Sequence, residues 1–190
     1  MDLRIALLGW GSLIWKPEPM KIDGRWHFDG PLLPIEFARI SKDLNTNRER
    51  LTLVLYDDAK QIPVLWVMLE NTDLNSAILN LAGREGCKLD SIGFVRCDKL
   101  ESNCRVIPSL SRPIRDWATS KKLDAVIWTD LPSNFYERTG SLLTEYNLIQ
   151  YLRNIRKSGN KDAIDYVKNA PVQIKTRFRD IIEKEFKLTS

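Results

Sequence analysis

Ile5-Ala6-Leu7-Leu8-Gly9-Trp10-Gly11-Ser12-Leu13-Ile14-Trp15 begins as an apolar strand, breaks into Gly-Trp-Gly-Ser and resumes as Leu-Ile-Trp. A short, uninterrupted apolar run of this kind reads as a buried strand. Glycines on both sides of an aromatic residue let the backbone turn sharply or come close to another group. The break has two readings. In one it is a bulge or sheet corner whose two tryptophans belong to the core. In the other, the amides of Gly11-Ser12-Leu13 and the Ser12 hydroxyl face a ligand, because clustered backbone N–H groups make a concavity suited to an anion. A lone Gly-x-Gly does not decide between them.

Outward from that strand, which spans Arg4 to Gly9, the first two-thirds of the chain is strand-dominated. A turn-rich loop carries Lys16-Pro17-Glu18-Pro19, Asp23-Gly24 and Asp29-Gly30. Leu32 to Ile40 alternates apolar and polar residues, with Pro34 placing it at a strand start or edge. After the polar turn Ser41 to Arg50, the runs Leu51–Tyr56 and Ile62–Leu69 read as a hairpin. Thr72 or Asp73 then caps a helix whose apolar positions Leu74, Ala77, Ile78 and Leu81 recur at helical spacing, ending at Gly83-Arg84-Glu85-Gly86. Strands are expected at Ile92–Arg96 and Asp124–Thr129, with a helix over Ile114–Lys122 between them. The tail is helical: Tyr146, Ile149, Leu152 and Ile155 share one face, Ile174, Phe178, Ile181 and Ile182 another, and Pro171 marks the start of the last helix. Ser133 to Gly140 reads as a linker, which divides the chain into a strand-rich domain over 1–140 and a helical extension over 141–190 packed on it.

Bulk properties bound the function. A chain of 190 residues, 43% hydrophobic and 28% charged, has the composition of an ordinary soluble globular protein, long enough for a sizeable core. No apolar run approaches a membrane span, and Met1-Asp2-Leu3-Arg4 enters the first strand without a cleavage site, so a cytoplasmic protein with no membrane partner is expected. Cys87, Cys97 and Cys104 form an odd set without a C-x-x-C pair, and His27 is the only histidine. That scarcity argues against a metal site and against a His-based triad. A net charge of +4 suits small anionic partners. The tail cations Arg153, Arg156, Lys157 and Lys161, with Lys175, Arg177 and Arg179, read as solvated helix faces rather than a nucleic-acid surface.

Glu85 is the leading candidate for chemistry. A carboxylate between glycines at a helix C-terminus sits against the macrodipole, which favours its protonated form and suits it to general acid/base work if desolvated. The competing reading is a solvated helix end paired with Arg84 or Lys88. Glu36, in Pro34-Ile35-Glu36-Phe37-Ala38-Arg39, is the rival carboxylate, either turned into a cavity or outward from its strand.

Leu8-Gly9-Trp10-Gly11-Ser12-Leu13-Ile14-Trp15-Lys16-Pro17 resembles the Tyr-Gly-Ser-Leu signature of the gamma-glutamylcyclotransferase-like superfamily, above all its ChaC-like branch, with Trp10 where the signature has tyrosine. Gly30-Pro31-Leu32 entering a strand, the Leu74–Gly83 helix before an Arg-Glu pair, and a later strand with Trp128 follow in the same order, so the resemblance covers roughly residues 3 to 130. It implies an α+β fold, a small mixed β-barrel with flanking helices, to which the helical C-terminal extension is an addition. It further implies that Trp10, Gly11, Ser12 and Leu13 hold the substrate and that Glu85 transfers protons. The implied reaction cyclises or cleaves a small carboxylated or gamma-glutamyl substrate without a cofactor. A protein of the same fold that binds such a metabolite without turning it over is the alternative. An indole in place of the phenol keeps the stacking surface and offers only an N–H donor.

Overall fold

The computed structural model describes residues 2–43, 46–160 and 162–188. Its strands are β1 (Ile5–Gly9), β2 (Ile22–His27), β3 (Leu32–Lys42), β4 (Glu49–Leu55), β5 (Gln61–Pro63), β6 (Leu65–Leu69), β7 (Ile92–Arg96), β8 (Ser102–Asn103) and β9 (Ala125–Thr129). Its helices are α1 (Leu74–Glu85), α2 (Ser111–Ser120), α3 (Phe135–Thr139), α4 (Glu145–Lys157), α5 (Asp162–Asn169) and α6 (Arg177–Phe186).

β1 is apolar throughout because it is central: antiparallel β6 flanks one edge and parallel β9 the other, in the order β2-β6-β1-β9-β7-β8. Period-two alternation splits its side chains between two cores. Ile5 and Leu7, with Ile127 of β9, pack under Leu74, Ala77 and Leu81 of α1. Ala6 and Leu8, with Val126 and Trp128, join the core that includes β3, β4 and the tail helices. The tail supplies Leu148, Leu152, Val167, Ile174 and Ile182 to that same core. Each such burial contributes roughly 1.5–3 kcal/mol before entropy is counted.

The second sheet has the order β4-β3-β5, which corrects the expected hairpin. Leu51–Tyr56 and Ile62–Leu69 do not pair. β3 lies between β4 and β5; the Asp43 amide donates to Arg48 O (2.9 Å) where β4 returns onto β3. The stretch 61–69 is interrupted at Val64, whose amide donates to Pro31 O (3.2 Å) and whose carbonyl accepts from Gly30 N (3.1 Å). Gly30 is needed there, since a Cβ would lie 2.3 Å from the Val64 oxygen. One half of the stretch thus belongs to each sheet, and Val64 forms a corner between them. Among the described residues the ladders run as two sheets and do not close into a ring. The α+β class holds, and the hydrogen bonding is that of open sheets rather than a closed barrel.

Three further expectations are revised. The stretch 133–140 is not a linker: it forms α3, Phe135 is fully buried, and Asn134 brackets Ile40 by accepting from its amide (2.7 Å) and donating to its carbonyl (3.0 Å). The last helix starts at Arg177 under a Thr176 cap, not near Pro171, because Thr176 Oγ1 accepts from Arg179 N (3.2 Å). α5 was not anticipated; it packs on β4. No described helix is long and apolar enough to cross a membrane.

Candidate active site

The chain leaves β1 through Gly9, where a Cβ would meet Ile14 Cδ1 at 2.7 Å and the Trp26 ring at 2.8 Å. A single tight turn follows, fastened by Ile14 N to Gly11 O (2.9 Å) and Lys16 N to Ser12 O (2.9 Å). The amides that open such a turn have no partner within it. Trp10 is 5% exposed, and its indole N–H donates to Leu53 O on β4 (3.2 Å). The indole therefore ties the loop to the second sheet, while the Leu13 side chain packs in the core beneath α1.

α1 delivers Glu85 to this loop. Asp73 caps its start by accepting from Ser76 N (2.8 Å), and Gly86 ends it in the left-handed conformation (φ 61°, ψ 36°) that glycine adopts without strain. In the last turn the Arg84 guanidinium donates to Ser12 Oγ (3.2 Å) and Lys16 O (2.5 Å) and forms an ion pair with Glu85. The pairing expected of a helix end is present, but the end is not open to solvent: the side chains of Arg84 and Glu85 are 9% and 18% exposed. Arg84 thus bolts the acid to the loop.

Trp10, Gly11, Ser12, Leu13 and Glu85 all border one cavity of about 470 Å³. Arg39, Arg50 and Thr52 form its β3–β4 wall, Thr129 comes from the end of β9, and Tyr166 and Asn169 come from α5. The helical tail is therefore part of the cavity. Tyr166 is nearly fully buried, with Trp15 edge-on at 5.3 Å and the Arg50 guanidinium 5.3 Å from its ring centre. A Cβ on Gly11 would stand 2.2 Å from the Tyr166 hydroxyl, so the glycine makes room for the phenol. Burial, with the nearby Glu85 charge, pushes that phenol up to about 12, while the Ser12 and Leu53 amides oppose the shift. Tyr166 is accordingly a protonated donor at neutral pH.

Glu36 faces elsewhere. It is 4% exposed and accepts from Phe37 N (2.8 Å), Thr176 Oγ1 (2.5 Å) and Phe178 N (3.3 Å), which places its carboxyl at the start of α6. Burial pushes its pKa up despite these donors. It does not border the cavity, and its role is to anchor the tail.

No family model, curated protein or solved structure matches the chain.

The other singled-out residues lie apart from the cavity. His27 is exposed on β2 and stacks on Trp66 at 4.5 Å. The thiols of Cys87, Cys97 and Cys104 are raised by burial, that of Cys104 to about 11, so none is a ready nucleophile. Three of the tail cations are paired within the fold. Arg153 pairs with Glu185 (2.6 Å), Arg177 with Glu145, and the buried Arg179 with Glu183 (2.7 Å), while Lys161 lies outside the described residues. Sequence reading missed Tyr166, Arg50 and Thr129 as cavity residues, and gave Arg39 no role. Only Arg39 offers a signal, as a cation flanked by the apolar residues Phe37, Ala38 and Ile40.

Proposed function

We propose that this cavity is the active site of a gamma-glutamylcyclotransferase-like enzyme acting on a small carboxylated or gamma-glutamyl substrate. The observation that carries this reading is the convergence of Glu85 and the Gly11-Ser12-Leu13 loop on one cavity, joined through Arg84. The likeness to that superfamily rests on the signature stretch and the order of segments around it; the corner at Val64 is compatible with a barrel-like wrapping of the two sheets.

In this reading the substrate's α-ammonium gives a proton to Glu85, and the free amine attacks its own γ-carbonyl. A ring C–N bond forms, the amide C–N bond breaks, the proton held by Glu85 goes to the departing nitrogen, and the second proton shed by the ring nitrogen follows it, so that the amine leaves as its ammonium. The products are 5-oxoproline and that amine, with no co-reactant. Proton transfer by a positioned carboxylate is typically worth about 10²–10⁴ in rate. Holding the substrate folded removes part of the entropic barrier, and the amides of the Gly11-Ser12-Leu13 loop not taken by the Tyr166 oxygen would serve as donors to developing oxyanion charge.

The second reading is a metabolite-binding protein without turnover. The Arg84–Glu85 ion pair favours it, because a base held by a guanidinium must exchange that partner for the substrate ammonium. Incubation with a panel of gamma-glutamyl amines and amino acids, followed by detection of 5-oxoproline, separates the two. Product formation that disappears in Glu85→Gln supports the enzyme; saturable binding without product supports the binding protein.

A further inference from the structure

We propose that Arg39, Arg50 and Thr129 form an anion subsite in this cavity, so that its ligand carries an oxyanion of its own, a carboxylate or a phosphate, apart from the groups that meet the Gly11-Ser12-Leu13 loop. The proposal rests on the cavity being a ligand site, as above, and deepens that reading by naming a charge the ligand must bear; it does not require the cyclisation.

The wall is made by a bulge. On β3 the core takes Leu33, Ile35 and Phe37 and then Ile40, with the register shifting between Phe37 and Arg39. The extra residue reverses the alternation, and Arg39 and Ser41 turn to the cavity. Arg39 faces Thr52 and Ser41 faces Arg50 across the ladder, which makes the two arginines diagonal neighbours with Cα atoms about 7–8 Å apart. Two cations at that spacing repel unless anions accompany them. Arg50 has Asp43 at 2.7 Å. The Arg39 guanidinium has no carboxylate within ion-pair distance among the described residues, and its one hydrogen bond there is from Nη1 to Pro132 O (2.7 Å), while the Arg39 carbonyl accepts from Thr52 Oγ1 (3.2 Å).

Two more groups on the cavity wall lack partners: Arg50 Nε and Thr129 Oγ1 are buried without a hydrogen bond. Thr129 ends β9 three residues before Pro132, so the carbonyl that aims Arg39 belongs to the same piece of chain. Native folds rarely leave buried donors unmet. Water would satisfy Thr129 and Arg50 Nε but would not neutralise Arg39. An oxyanion does both, since the guanidinium fork matches carboxylate and phosphate oxygens. Lys16, Lys42 and Arg84 border the same cavity with Arg39 and Arg50, against Glu18, Asp43 and Glu85, so the lining keeps an excess of positive charge.

Calorimetric titration at low salt with glutarate, butyrate and inorganic phosphate, against wild type, Arg39→Met and Thr129→Val, tests the subsite. Wild type should bind glutarate about tenfold more tightly than butyrate, the worth of one charge-assisted contact. Arg39→Met should erase that preference while leaving butyrate unchanged, and Thr129→Val, which keeps the shape, should weaken glutarate about threefold. Phosphate binding that depends on Arg39, without a glutarate preference, also supports the subsite and assigns it to a phosphate-bearing ligand. The proposal is overturned if no probe binds, if glutarate and butyrate bind alike and phosphate does not bind, or if the preference survives Arg39→Met. Should Arg39→Met fail to melt cooperatively, unchanged glutarate affinity in Thr129→Val overturns it. Arg39-dependent binding without 5-oxoproline formation would sink the enzyme reading alone; turnover indifferent to Arg39 would sink the subsite alone.

Discussion

Glu36 and Glu85 are rival carboxylates in the sequence, and the structure sets them in opposite surroundings. Glu36 sits mid-strand on β3 with three donors around its carboxyl at the start of α6. Glu85 sits at the free end of α1 with Arg84 as its partner and a cavity beside it. A carboxyl surrounded by fixed donors is built into the fold, because moving it would leave several groups unmet. A carboxyl held by a neighbouring long side chain beside open space can exchange partners, which is what proton transfer requires.

The largest effect should fall on turnover. Glu85→Gln is expected to lower 5-oxoproline formation about 10³-fold with an unchanged melting profile, whereas Glu36→Gln should leave it within about twofold. Rate measurements on the two variants, with the gamma-glutamyl compound that wild type turns over fastest, break the contrast if the losses are equal.

Stability should show the reverse. Glu36→Ala leaves the Phe37 amide, the Thr176 hydroxyl and the Phe178 amide without their acceptor, and should cost about 3 kcal/mol in denaturant unfolding. Glu36→Gln retains an acceptor oxygen and separates charge from shape. Because burial raises the folded-state pKa of Glu36, its favourable contribution is fully present below the ordinary carboxyl value and is lost as pH rises through the raised one. The stability of Glu36→Gln relative to wild type should therefore increase from acid to neutral pH. A flat difference would mean that the donors at α6 compensate the charge fully.

How much of this was legible follows from the range of each signal. β1, the Gly-Trp-Gly-Ser break and α1 with its Asp73 and Gly86 caps are local, and their residues state them directly. The pairing of β4 with β3 rather than with the β5–β6 stretch is not local. Both partners are apolar runs, and periodicity carries no information about which neighbour a strand takes. Thr176 and Asn134 read as ordinary polar residues until the strand they fasten is known. Tyr166 is the extreme case, since nothing in α5 announces that its hydroxyl will rest against Gly11. The candidate acid and loop were thus readable, but the wall and roof of the cavity were not, because they come from β3, β4 and the tail.

Two glycines, Gly11 on the cavity wall and Gly83 on the exposed side of α1, carry the comparison to smaller effects. At Gly11 a methyl group would stand 2.2 Å from the hydroxyl of a buried Tyr166 that cannot swing away. Gly11→Ala should therefore cost about 1–3 kcal/mol, and Tyr166→Phe, which removes the clashing oxygen, should recover part of that cost in a double-mutant cycle on unfolding free energies. Additive penalties would separate the loop from the tail.

Gly83 lies two residues before Glu85, inside α1, with open space where a Cβ would point. Alanine there removes backbone freedom from the unfolded chain and meets no atom in the folded one. Gly83→Ala should thus raise stability by about 0.5–1 kcal/mol, measured by denaturant unfolding, and leave turnover unchanged. A loss of activity without a loss of stability would be the informative failure. It would mean that the open space at Gly83 is used by the ligand, and that the cavity extends along α1 beyond Glu85.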